Sequence, residues 1–305
     1  MPYTYFGPIG ERNNTYAAVG NNANLGTRPL GTRLVLPDER EYRFVLNDGT
    51  AEVAASLYQS VASVANHVNV VCDVARAVDA VIVSATLGAT AAAIDIYAEG
   101  IVHVNDAAGE GYAYNITRAM SSGAAHAAAA SSGILTVNLA PGEKVQIALT
   151  TSSEVSFTRN RYHQVLIHAS PPTGGIAGVS PGVAAADRFY WSQTKGYAAV
   201  LADGTLLAGL PVMASIGTDG AVENFKRRVR TSGTTALVST ATHAVLKLLD
   251  QDGTTTNFLV VVTTAQATAN DDISGPIAIN GPTIGVCVKA NASTEQALVD
   301  LAIQG

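Results

Sequence analysis

The tripeptide Asp-Gly-Thr occurs three times in this chain, at 48–50, 203–205 and 252–254, each time between apolar runs. The runs read YRFVLNDGTAEV, YAAVLADGTLLAG and LKLLDQDGTTTNFLVVV. Glycine reaches the positive φ that tight turns demand, and Asp tolerates the neighbouring position, so each copy predicts a turn between two strands. The copies are unevenly spaced, which fits recurrent hairpins and not a solenoid repeat.

The rest of the chain supports the same class. EGIVHVNDAAGEGYAYNI (99–116) reads as strand, small acidic loop, strand, with Val102 and Val104 on one face. Its glycines are followed by YAYNI, not by a helix carrying Lys and Ser or Thr, so it is no phosphate loop. Asn105, Asp106 and Glu110 do not follow the alternation of a calcium loop. In KVQIALTTSSEVSF, Val145, Ile147 and Leu149 share one strand face, and Val155 and Phe157 another. RYHQVLIHAS gives an apolar run, PPTGGIAGVSPG (171–182) an irregular connection, and RFYWSQTKGYAAVL a further strand. Helix is scarce: LYQSVASVANHV (57–68) fits either period, and AHAAAASSG is short. The expected fold is all-β, a β-sandwich or barrel-like domain with hairpins and little helix.

The first residues differ. GERNNTYAAVGNNANLGTRPLGTR has no sustained period, and Tyr3, Tyr5, Phe6 and Tyr16 punctuate its surroundings. Such a segment reads as an extended arm or as a disordered tail. The expected organisation is an arm over 1–34, a main β domain over 35–220, an insertion or second subdomain over 221–281, and a strand in 282–305 that closes the main domain.

Function classes narrow by exclusion. Only 14% of the 305 residues are charged, against about 25% in an ordinary soluble domain. A surface so poor in charge points to burial against other subunits. AVIVSATLGATAAAI (80–94) is too short and polar for a spanning helix, so no membrane partner is expected. The N-terminus lacks the basic start and apolar core of a signal peptide, which points to synthesis in a cytoplasm. Cys72 and Cys287 lie among valines and read as buried free thiols, not metal ligands. The net charge of −6 argues against nucleic acid. His163 and His168 stand five apart, on opposite faces of a strand, and neither HExxH nor GxSxG occurs. No enzyme, cofactor or metal is expected. Lys226, Arg227, Arg228 and Arg230 form a basic cluster, either a solvated edge or a dock for an acidic surface.

The blocks YAEGIVHVNDAAGEGYAYNI, VQIALTTSSEVSFTRNRYHQVLIH, FYWSQTKGYAAVLADGTLLAGLPV and PTIGVCVKANASTEQALVDLAI together resemble the capsid decoration, or cement, proteins of tailed bacteriophages. The likeness covers about residues 37–220 and 282–303. The first 35 residues and 221–281 lie outside it. The resemblance implies a virion structural protein that forms a homotrimer on the outer capsid surface and stabilises the major capsid protein lattice. An alternative is a tail or fibre module for host recognition by carbohydrate binding, with Tyr190 and Trp191 as its best aromatic candidates.

Overall fold

The strand Arg188–Leu201 organises the fold, because two different partners share its length. Its first half pairs antiparallel with Glu41–Leu46, from Phe189 opposite Leu46 to Lys195 opposite Glu41. Its second half pairs with Gln296–Ala302, from Lys195 opposite Ala302 to Leu201 opposite Gln296. The register shifts between Gln193 and Lys195, and Gly196 at the changeover has φ +82. A Cβ there would stand 2.8 Å from Arg40 Cγ, so the close approach favours glycine. The computed structural model describes residues 4–17, 28–118, 126–225, 243–249, 255–261, 283–292 and 294–303. Among them the architecture is all-β, with only two short 3-10 turns, Ile9–Asn13 and Ala65–His67.

The chain divides into two units, Met1–Asn224 with Thr283–Gly305, and Phe225–Pro282. In the first, a large mixed sheet runs Thr4–Phe6, Arg33–Val35, Glu41–Leu46, Arg188–Leu201, Gln296–Ala302, Thr283–Lys289, Pro211–Ala214, Val222–Asn224. Every neighbouring pair on this path is antiparallel except the outermost, where Thr4–Phe6 lies parallel to Arg33–Val35. The C-terminal segment thus contributes two adjacent strands to the sheet. Burial explains the sequence of the long strand. Phe189–Thr194 is buried on both faces, whereas Ala198 and Val200 point inward and Tyr197 outward. Phe44 stacks on Phe189 at 5.3 Å and meets Trp191 edge-on at 5.0 Å.

The segment between Leu57–Gln59 and Leu166–Ile167 packs a separate core. The chain leaves the large sheet at Leu57–Gln59 and returns at Leu166–Ile167, and these two strands pair antiparallel. Between them, Val70–Val71, Glu154–Thr158, Ile101–Asp106 and Ala113–Asn115 form one sheet, and Ile82–Thr86 with Ile134–Asn138 another. Val102, Val104, Tyr114, Leu135, Val137, Val155 and Phe157 bury into a core of their own. The 99–116 hairpin forms as the alternation predicts, with Val102 opposite Tyr114 and positive φ at Ala107, Gly109 and Gly111. The reading of 35–220 did not distinguish the two cores, because both nested and surrounding strands alternate in the same way.

Several local expectations fail for physical reasons. Residues 49–50 only bend, without positive φ at Gly49, and Glu41–Leu46 pairs with Arg33–Val35 and Arg188–Leu201, not with the strand that follows. Gly204 does adopt φ +76, yet its flanking strands find partners elsewhere. An Asp-Gly turn reverses the chain without choosing the partner. The third copy lies outside the described residues, but its flanks do pair, Leu249 opposite Thr255 through His243 opposite Val261. Val145–Leu149 is not a strand: Val145 and Leu149 are buried while Ile147 is exposed, and Leu149 makes one isolated bridge to Arg76. Conversely, the segment read as an irregular connection contains Ile176–Val179, a fully buried strand. Gly178 there has φ +143, and an added Cβ would lie 2.8 Å from the Gln193 carbonyl. Cys72 and Cys287 are buried free thiols, as expected.

Candidate interaction sites

The N-terminal segment is glued down on one side and bare on the other. Thr4–Phe6 extends the large sheet by pairing with Arg33–Val35, and Tyr16–Ala17 pairs with Phe189 and Arg188. Alternation along the first strand turns Tyr5 inward and leaves Thr4 and Phe6 outward. Gly7 packs closely, since a Cβ there would meet Tyr5 at 2.8 Å and Leu34 at 2.9 Å. The 3-10 turn follows, closed by the Glu11 N–H donating to the Pro8 carbonyl at 3.0 Å.

Arg28 anchors this arm. Its guanidinium carbon lies 4.9 Å from the Tyr5 ring, 5.5 Å from Tyr16 and 5.6 Å from Trp191. Glu11 completes the cluster, 3.7 Å from Arg28 and accepting the Tyr16 hydroxyl. Burial, together with Glu11, pushes the Tyr16 phenol above its ordinary pKa. Tyr5 and Tyr16 therefore pack on this chain's own core, where the sequence left open an extended arm or a disordered tail. Phe6, 77% exposed, and Ile9, 49% exposed, remain on the outer side. Thr4–Phe6 stands at the end of the sheet path, paired only with Arg33–Val35 among the described residues. Of the other residues expected to make contacts, Tyr3, Lys226, Arg227, Arg228 and Arg230 lie outside the described residues.

A different site sits at the neck of the nested domain. Thr158–Arg161, Thr173–Gly175 and Ser60–Val64 line a cleft of about 250 Å³ together with Tyr97 and Phe157. Arg159 and Arg161, two apart, both line it, and no lining residue is Asp or Glu. Arg159 Nη1 donates to Gln164 Oε1 at 3.1 Å, and Arg161 Nη2 donates to the Ile176 carbonyl. Burial draws the Arg159 guanidinium below its usual pKa, with Tyr97 partly offsetting the shift. Ser60 is tied to Gly175, giving its N–H to the Gly175 carbonyl at 2.8 Å and accepting the Gly175 N–H on Oγ at 2.9 Å. Sequence reading passed over this cleft. Its only linear mark is TRNR, two arginines on alternate positions of an extended segment in a chain poor in charge.

The histidines serve the cores. The His168 Nε2–H donates to the Ser215 carbonyl at 2.8 Å while Nδ1 accepts the Gly220 N–H at 2.9 Å. His163 is fully buried and pulled down to about 4 by burial and by Arg159. The buried pair His126 and Asp95 stands 3.7 Å apart, with Asp95 Oδ1 accepting the His126 main-chain N–H at 2.8 Å. Burial lowers the His126 pKa and raises that of Asp95, so the neutral forms are favoured. Among the described residues no group of three His, Cys, Asp or Glu is placed to hold a metal. Tyr190 and Trp191, the aromatic candidates for glycan binding, are 3% and 0% exposed. No helix among the described residues is long and apolar enough to cross a membrane. No protein-family model, curated protein or solved structure matches the chain.

Proposed function

We propose that this chain is a virion structural protein, a capsid decoration protein that trimerises on the outer capsid surface and stabilises the lattice of the major capsid protein. The observation that carries the reading is the arm. It is fastened by Tyr5, Tyr16 and Arg28 and presents Phe6 and Ile9 outward beside an outermost strand. An edge of this kind offers main-chain groups for strand addition and apolar side chains for specificity. The sequence blocks that resemble tailed-phage cement proteins, and a surface poor in charge, support the same role. Contacts repeated over a shell gain strength because each later contact is effectively intramolecular.

The tail or fibre alternative loses its anchors, because neither Tyr190 nor Trp191 can offer a ring face to a sugar. Copy number separates the two roles. Cryo-electron microscopy of the parent virion is expected to show copies at every repeat of the capsid lattice. A handful of copies confined to the tail would overturn the proposal.

A further inference from the structure

The neck cleft has the chemistry of a carboxylate receptor. Arg159 faces it with a neutral partner, Gln164, and forms no ion pair among the described residues. Its Nε is buried and meets no acceptor. A half-buried cation without a counter-charge favours an anionic partner, and a carboxylate is the group whose two oxygens match the guanidinium fork. The net charge of −6 belongs to the whole chain and is screened beyond about 8–10 Å at physiological ionic strength, and the charged residues that line the cleft are Arg159 and Arg161.

The walls narrow the class. Val61 and Val64 line the cleft beside the cations, which suits a carboxylate carried on a carbon chain better than a bare phosphate. Tyr97 and Phe157 are 2% and 1% exposed, so they cannot stack on a sugar ring. The volume is below the roughly 300–1,000 Å³ of small-molecule pockets and suits a single side chain. We propose that this cleft receives the carboxylate of one acidic side chain from a neighbouring polypeptide, clamped between Arg159 and Arg161. That the neighbour is a capsid lattice protein rests on the function proposed above; the preference for a side-chain carboxylate does not.

The test is an NMR titration of the intact chain with N-acetyl-glutamate N-methylamide, glucuronate and inorganic phosphate. The blocked glutamate is expected to shift the Arg159, Gly174 and Gly175 amides saturably. Arg159→Gln and Gly175→Ala should each weaken it at least tenfold, and Lys144→Gln, on an exposed ion pair with Asp79, should not. Gly175→Ala guards against misfolding, since its methyl comes no closer than 3.5 Å to Arg161 Nε yet narrows the cleft. Absence of saturation, or unchanged affinity in both variants, overturns the proposal. Tighter binding of glucuronate or phosphate overturns the side-chain assignment. Shell binding separates the two readings: an Arg159→Gln chain that still decorates shells fully sinks the lattice contact and leaves the virion role standing. A wild-type chain that ignores shells but saturates with blocked glutamate sinks the virion role and leaves the cleft.

Discussion

The guanidinium of Arg28 lies 5.6 Å from the centre of the Trp191 ring, so an arm residue caps a fully buried aromatic of the large sheet. Tyr5 and Tyr16 close around the same cation, and Glu11 balances it. Half-desolvated cation–π contacts are worth about 1–2 kcal/mol. Arg28→Ala is therefore expected to destabilise the chain by about 1 kcal/mol in denaturant unfolding. It should also speed hydrogen exchange of the amides in Thr4–Phe6. Exchange that stays unchanged would show that the arm is held by its strand pairing alone.

Phe6 separates folding from association. Its side chain is largely exposed, so Phe6→Ser should leave unfolding within about 0.5 kcal/mol of the parent. The same change should weaken capsid binding at least tenfold. Removing residues 1–33 is a poorer test, because it also uncovers the core under Tyr5 and Tyr16.

Gly178 marks where the buried strand Ile176–Val179 is pressed against the long strand. Its φ of +143 and the nearness of Ser192 and Gln193 leave no room for a methyl group. Gly178→Ala should cost more than about 2 kcal/mol, through strain and separation of Ile176–Val179 from the long strand. Gly49→Ala, in open space and without positive φ, is the matched control and should cost under about 1 kcal/mol.

Stability should pass through a maximum near neutral pH. Glu52 is buried beside Tyr58 and Tyr190, and burial raises its pKa from 4.5 to about 8. The unfolded chain releases that proton first, so stability falls as pH rises from about 4.5 to 8. The buried His126, His163 and His168 are shifted downward, His163 to about 4, so their contribution is present above pH 6.5 and lost as pH falls toward 4. Glu52→Gln should abolish the alkaline decline, seen as a flat melting temperature between pH 6.5 and 8. A parent chain equally flat over that range would contradict the burial of an uncompensated carboxyl.

Alternation made the all-β class and the 99–116 hairpin legible, because both depend on neighbours in sequence. Partner choice was not legible. The strands flanking Asp48 and Asp203 do not pair across those residues and each has a partner far along the chain, and nothing local encodes that choice. Val145 and Leu149 are buried four residues apart from an irregular segment, which alternation misreads as a strand. Ile176–Val179 was hidden by its glycines, since Gly178 is required by close packing and not by a turn. Of the candidate sites, the aromatic arm could be read from Tyr5, Phe6 and Tyr16, but its anchor Arg28 could not. The cleft arises only where Arg159 and Arg161 come together with Ser60–Val64.

Adding the purified chain to capsid shells stripped of it, and following their thermal disruption, tests the central claim most directly. The account predicts saturable binding in fixed proportion to the major capsid protein and shells that withstand a higher temperature. Shells that neither bind the chain nor gain heat resistance would contradict it.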